Sequence, residues 1–560
     1  MSEWRADLEE NRVENQNGLH PTGTDAESSS IDQTANGRQC EKDFPDADEE
    51  RAAPQAPPCS EERSMAGEKF RCHPSIIVEN SARTFFSIVI LLIFLGAWID
   101  STAVRGILAL SPIALLLFYS RQWKRTTIQF NETDVVVERD TLFQMKKTLP
   151  YTKMASVNVN RDIANRVFGT SKVLININSG ASATTPEAVL TFRQDVAERL
   201  RSEMSQRLYD HAISPDEEET IESLATFTPL DVIIHGLFSV STYQTILGSM
   251  FLAYSVFELY LSMVTEVELG AGAMVSLVMF VTVQIMPSVS LMFRYYNYKV
   301  YRRGDTIYLQ HGLIRTYRTS FSVSRINAVR VKSTLAARIL GRSCIEAEVV
   351  GLASESDDSS RPVLCLLKDD ATQQRVFREL VPEFVYERDP ERQPEGAKSV
   401  LQIRAVVASL VLAAVMCIPS LYVSPEAAAL SGITGIPGVV VQCMLPLGTA
   451  LAVLATLYAA HVSFRVTEFD AGENLFTFVN GAVDRETAVM NYDKVQMIWI
   501  AKGPIARVFG VSRGSVYMLS STGSSSITSG YFPEGHLNRL NEIVMDRIAS
   551  GRYDYRLNSV

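Results

Sequence analysis

The sequence predicts a multi-domain membrane protein in which a pair of apolar helices, followed by a strand-rich soluble unit closed by a helix, is built three times. Three observations predict this. A six-residue signature recurs as Ala164-Asn165-Arg166-Val167-Phe168-Gly169, Ala336-Ala337-Arg338-Ile339-Leu340-Gly341 and Ile505-Ala506-Arg507-Val508-Phe509-Gly510. Its glycines stand 172 and 169 residues apart, a near-fixed period that signals internal repetition. Hydrophobic residues make up 46% of 560, with a mean hydropathy of +0.06, which is high for a chain wholly in water.

Residues 1–80 carry 18 acidic and 8 basic side chains, which accounts for the whole formal charge of -10, and the remaining 480 residues balance at 45 against 45. Few large apolar side chains occur there, so this segment is expected to be a disordered acidic tail that cannot offset its ordering entropy by burial. The acidic start and the late first apolar segment predict no cleaved signal peptide; the first hydrophobic segment serves for insertion. The cysteines, Cys40, Cys59, Cys72, Cys344, Cys365, Cys417 and Cys443, show no CxxC or Cys/His spacing, which suits reduced thiols rather than a disulfide framework or a zinc site.

Apolar segments come in pairs, at 84–99 and 106–119, at 242–264 and 271–293, and at 401–422 and 438–460. About 20 residues cross a ~30 Å hydrocarbon core, so the last four suffice. The first pair is short, and either recruits its turn or forms a re-entrant hairpin. Transmembrane hairpins are therefore placed over 81–120, 229–293 (with an interfacial segment) and 400–460, and soluble units over 121–212, 294–388 and 461–552. Basic residues flank the soluble side, from Arg83, Arg121 and Lys124 to Lys398, Arg404 and Arg465, whereas Arg105 alone lies in the opposite turns. The asymmetry predicts six spans with both termini and all soluble units in the cytoplasm.

Within each unit, Gly and Asp separate alternating apolar residues, as at Asn131-Glu132-Thr133-Asp134, Arg303-Gly304-Asp305 and Asp470-Ala471-Gly472, which is hairpin chemistry. Terminal helices are expected over 186–209, 371–384 and 533–548. In the first, Val189, Phe192, Val196 and Leu200 fall on one helical face.

The strand-rich half, the repeated signature, the return strand and the closing helix resemble the bacterial PH-like domain, a domain of unknown function. Three of them, each preceded by a membrane hairpin, are similar to the YdbT type of bacterial membrane protein over about residues 81–552. The resemblance implies six transmembrane helices in three hairpins plus three PH-like antiparallel β-barrels, each closed by a C-terminal α-helix. It also implies work beside a smaller single-domain relative and a link to antimicrobial-peptide resistance.

Arg166, Arg338 and Arg507 could pair bidentately with lipid phosphate or a carboxylate, or could brace the turn that Gly169, Gly341 and Gly510 permit. Aromatic and basic residues interleave where spans meet soluble units: Trp123, Lys124 and Arg125, then Arg294, Tyr295, Tyr296, Lys299, Arg302 and Arg303. Such groups favour the headgroup zone, as plain anchors or as lipid-selective ones. Thr228 and Pro229 predict the capped start of a helix that lies in the interface or extends the third span. Glu258 lies within an apolar segment and is an intramembrane functional candidate unless it reaches the outer interface. Gly510-Val511-Ser512-Arg513-Gly514 matches a nucleophile elbow, but a helical turn precedes it and a strand follows, the reverse of what an elbow needs.

No phosphate-binding loop, HExxH or clustered histidines occur, so neither a cofactor nor a metal nor nucleic acid is expected. The leading expectation is a non-enzymatic membrane scaffold whose partners are the bilayer and either a smaller PH-like relative or another copy of itself. A transporter or lipid-handling protein is the alternative, and a hydrolase acting through Ser512 the third.

Overall fold

The computed structural model describes residues 67, 69–94, 102–141, 144–177, 185–209, 225–265, 271–352, 361–434, 438–521 and 523–551. Residues 1–66 of the expected tail lie outside the described residues, as do the turns at 95–101 and 266–270.

In the first repeat, strand β1 (Lys69–Phe70) precedes helices α1 (Ser75–Phe94) and α2 (Thr102–Lys124). Regular structure thus begins inside the segment expected to be tail. The helix begins upstream of the apolar run, with Ile76, Ile77 and Val78 in its first turn and Glu79, Asn80 and Arg83 between, and α1 reaches 20 residues instead of the short span expected. Strands β2 (Thr126–Phe130), β3 (Asp134–Arg139), β4 (Met145–Pro150) and β5 (Met154–Arg161) follow, then the short helix α3 (Ile163–Phe168) over the signature. Strands β6 (Thr170–Ile177) and β7 (Ala188–Arg193) and helix α4 (Gln194–Tyr209) complete the unit. Residues 188–193 were expected to be helical. They pair with β6 from Ala188 to Arg193 instead, and Ala188, Leu190 and Phe192 alternate into the core, a period of two that the helical reading overlooked.

The second repeat opens with α5 (Pro229–Phe238), which carries the expected cap as a full capping box between Thr228 and Asp231. After it come α6 (Thr242–Thr265), α7 (Ala271–Phe280), a π-helical turn at Val281–Ile285, and α8 (Met286–Arg294). Pro287 has no N–H to offer the carbonyl four residues back, and Gln244 of α6 supplies one, its Nε2 donating to Val283 O at 2.7 Å. Gln244→Leu is expected to destabilise the hairpin by roughly 0.6–2 kcal/mol. Thermal melting in detergent checks this, and an unshifted melting temperature would refute it.

The soluble part repeats the first: β8 (Lys299–Arg303), β9 (Thr306–His311), β10 (Thr316–Ser322), β11 (Ile326–Ser333), α9 (Leu335–Ile339), β12 (Arg342–Val349), β13 (Val363–Asp369) and α10 (Asp370–Leu380). The third repeat comprises β14 (Glu391–Arg392), α11 (Glu395–Thr434), α12 (Gly438–Val466), β15 (Glu468–Ala471), β16 (Leu475–Asn480), β17 (Arg485–Asn491), β18 (Val495–Ala501), α13 (Pro504–Val508), β19 (Val511–Ser520), β20 (Gly523–Pro533) and α14 (Glu534–Ala549). A loop was expected around 427–430. Helix α11 continues through it to Thr434, as the strong helix formers Ala427-Ala428-Ala429-Leu430 favour.

Among the described residues, five helical segments are long and apolar enough to cross a membrane: Ser75–Leu92, Thr242–Val264, Ala271–Arg294, Glu395–Val415 and Pro446–Val466. Helix α2, with Pro112 inside it and Arg121 and Lys124 in its last turn, is not among them.

Among the described residues the strands form no closed barrel. Each unit packs two antiparallel sheets and a helix around one core, and its second sheet runs on into the first sheet of the next unit. The strand orders are β1-β2-β3-β4, β7-β6-β5-β10-β9-β8, β13-β12-β11-β17-β16-β15-β14 and β18-β19-β20. Strands β5 and β11, which closure would need at home, pair instead with β10 and β17 of the following repeat. Side chains reinforce both junctions. Arg318 Nη1 donates to Glu198 at 2.7 Å, and Ser156 Oγ to Gly351 O at 2.8 Å, between the first and second units. Asn327 Nδ2 donates to Leu519 O at 2.7 Å between the second and third.

Candidate membrane-docking site

The repeated signature builds the same object three times, a helix of one to two turns ending on a left-handed glycine. Gly169, Gly341 and Gly510 have φ of 64, 64 and 67°, where a side chain is strained although a Cβ would meet open space. Each glycine N–H donates to the carbonyl of the signature arginine, at 3.4, 3.0 and 3.3 Å for Arg166, Arg338 and Arg507. The recurring geometry of the turn therefore uses the arginine main chain. Of the side chains, Arg166 donates to Thr316 Oγ1 of the next unit at 2.9 Å, and Arg507 is exposed.

The second signature residue, Asn165, Ala337 or Ala506, is buried. The fourth points out: Val167, Ile339 and Val508 are 76, 78 and 80% exposed, and Phe168, Leu340 and Phe509 beside them are exposed as well. Six large apolar side chains at equivalent places are not a scatter of single exposures, and such clusters mark a surface that meets something apolar.

Each tip sits beside the root of an apolar helix. In the first unit, buried Lys172 binds Glu79 of α1 and, at 3.3 Å, Asp162 at the start of α3; Arg315 binds Asp162 as well. In the second, Thr334 Oγ1 donates to Phe238 O at 2.5 Å, and the N–H of Leu335 donates to Thr242 Oγ1 at 3.1 Å, at the first residue of α6. Asp484 of the third unit binds there too, accepting from the Thr242 hydroxyl, from its N–H at 3.0 Å and from Leu335 N at 3.3 Å. In the third, Ala397 and Val400 of α11 pack with Ala506 and Val511, and a Cβ on Gly396 would lie 2.7 Å from Phe509 O.

The interface residues expected from sequence divide. Lys124, Tyr296 and Arg303 are exposed, Lys299 is half-buried, and Arg125 pairs with Asp140 at 3.3 Å. Trp123 Nε1 donates to Cys72 O at 2.6 Å and is tied to the protein. Tyr295 is a core residue, its ring edge-on to His235 at 5.0 Å, and Arg294 lies 5.8 Å over it. Arg302 braces Glu383 at 2.6 Å. Glu258 accepts from the Tyr254 hydroxyl at 2.9 Å on its own helix. Ser512 is buried within β19 with its Oγ aimed at Phe532 O, 3.4 Å away. Asp484 and the Glu79–Lys172–Asp162 cluster escaped the sequence reading, because their partners lie up to 242 residues away.

Tandem strand sandwiches, each rooted on apolar helices, define a membrane protein of PH-like units. Residues 83–208, 247–379 and 401–547 each match the bacterial PH domain family, and the chain belongs to it. It is similar to the UPF0699 transmembrane protein YdbT of Bacillus subtilis (strain 168), with 21% identity over 387 residues that cover 63% of this chain and 78% of that protein. No solved structure matches it.

Proposed function

We propose that the protein is a non-enzymatic scaffold that spans the membrane six times and holds its three PH domains as one platform against the cytoplasmic face of the bilayer. The observation that carries this reading is the threefold recurrence of an exposed apolar tip beside a helix root, on units joined through shared sheets. Full burial of a Val, Leu, Ile or Phe side chain in an apolar phase is worth roughly 1.5–3 kcal/mol, so the tips would press the platform onto the hydrocarbon boundary. The Lys and Arg asymmetry supports the cytoplasmic placement. The platform would assemble partners, among them a smaller PH-domain protein, for protection of the envelope against agents such as antimicrobial peptides.

Spin labels at Val167, Ile339 and Val508 in nanodiscs are expected to be more accessible to oxygen than to an aqueous nickel chelate. The opposite order at all three would remove the docking role. Crosslinking in the native membrane followed by mass spectrometry tests the scaffold, and recovery of this chain alone at monomer mass would count against it.

Lipid handling is a second reading, favoured by a cavity of about 190 Å³ in the first unit, lined by Ile76, Ile77, Tyr119, Trp123, Val137 and Leu190. A lipid retained through purification and lost on Ile77→Trp would support it.

A further inference from the structure

The two junctions between units are the same junction used twice. At the first, Thr316, Tyr317 and Arg318 of β10 pair with Arg161, Asn160 and Val159 of β5. At the second, Arg485, Glu486 and Thr487 of β17 pair with Ser333, Lys332 and Val331 of β11. Arg161 and Ser333 occupy one place in the repeat, each eight residues before the signature glycine, so the register is identical as well as the strands.

This rule leaves one strand over at each end. Among the described residues, β18 pairs only with β19, and β4 only with β3. β18 is the counterpart of β5 and β11, and β4 of β10 and β17. At the position of Trp499 the two internal junctions bury Asn158 and Arg330, whereas Trp499 is 58% exposed and Met497 51%. On the other strand Thr148 is exposed where Ser320 and Val489 are buried. An unpaired strand edge carrying large apolar side chains is a template for another strand.

We propose that β18 of one copy pairs antiparallel with β4 of a second copy, continuing the internal junction between chains. The transferred register sets Trp499 against Lys147, Ala501 against Met145 and Met497 against Leu149. A Trp ring against a lysine is a favourable cross-strand pair. The contact is heterologous, head to tail, and because every copy keeps its helices in one bilayer it generates a closed ring or a row in the membrane plane.

This proposal rests on the scaffold reading and names its partner. The test uses the full chain in native membranes, with two tagged copies co-expressed and a benzophenone amino acid at Trp499 in one of them. The expected product is an intermolecular crosslink to residues 145–150 of the other copy, with co-purification of the two tags lost on Trp499→Lys, which removes the ring and brings a second ammonium to Lys147, already held by Glu187, and a wild-type melting temperature in that variant. Tags that co-purify while the crosslink maps to another segment or another protein would overturn the strand pairing and leave the scaffold standing. A chain recovered alone as a monomer before any substitution would overturn both.

Discussion

Glu348→Ala is expected to destabilise the block formed by the second and third units by about 3–5 kcal/mol, the usual cost of removing one partner from a buried ion pair. Glu348 of β12 has no exposure to solvent. Arg330 lies 2.6 Å from its carboxylate, Arg361 binds it, and Ser525 Oγ donates to it at 3.0 Å, with Ser520 binding the other oxygen. Burial pushes the carboxyl up, but Arg330 and Arg361 outweigh it and hold the group below its ordinary range. Both serines belong to the third unit, so the carboxylate is a polar rivet across the junction. Truncation strands Arg330 in a buried place with Glu486, 2.5 Å away, as its remaining anionic partner. The measurement is thermal unfolding in detergent together with limited proteolysis, where the third unit should be released first. A variant that melts with the wild type and resists protease equally would show that the rivet carries no load.

Acidification from about pH 6.5 towards 4 is expected to weaken the second unit. Burial lowers the imidazoles of His235 and His311 from an ordinary 6.5 to about 4. For His311 a hydrogen bond to Arg294 O, at 2.8 Å, works the other way, while the Arg294 charge reinforces the lowering. The unfolded chain takes up these protons near 6.5 and the folded chain does not until about 4, so stability present above 6.5 is lost as pH falls through that window. At 1.36 kcal/mol per pH unit the loss reaches roughly 3 kcal/mol per histidine.

Leu367 N–H donates to His235 Nδ1 at 3.4 Å, an acceptor role that protonation would abolish. The rings of Tyr295, Tyr298 and Tyr317 pack around the pair. Asp231 acts lower. Burial raises it, yet bonds from Lys368, Thr228 and Arg342 hold it at about 2, so its contribution is intact above 3.8 and fades only below that. His235→Phe should therefore flatten about half of the pH dependence of melting between 6.5 and 4. Superimposable profiles of variant and wild type would discard the assignment.

Much was legible in the residues because it depends on neighbours in the chain. The signature glycines declare a left-handed turn, Thr228 and Pro229 declare a helix start, and runs of about twenty apolar residues declare helices able to cross a bilayer. The recurrence of all these together marks three units and their family. Where two periods overlap in one stretch, as at 188–193, local pattern misled, because pairing with β6 outvotes a helical face. For the signature arginines the residues left two roles open, pairing with a phosphate or carboxylate or bracing the turn; in the fold their carbonyls accept from the turn glycines, while the apolar residues after them form the exposed tip.

The chain by itself thus determined what each repeat is made of: an apolar pair, a run of short strands, a glycine-ended turn and a closing helix. Only the tertiary structure decided that the sheets are shared between units rather than closed into barrels, and that Glu348 and Asp484 tie elements far apart in sequence. The physical reason is that a strand's edge hydrogen bonds are made by backbone groups every residue possesses. Nothing in the side chains of β5 or β11 says whether the partner is the strand before it or one from the next repeat, until packing chooses.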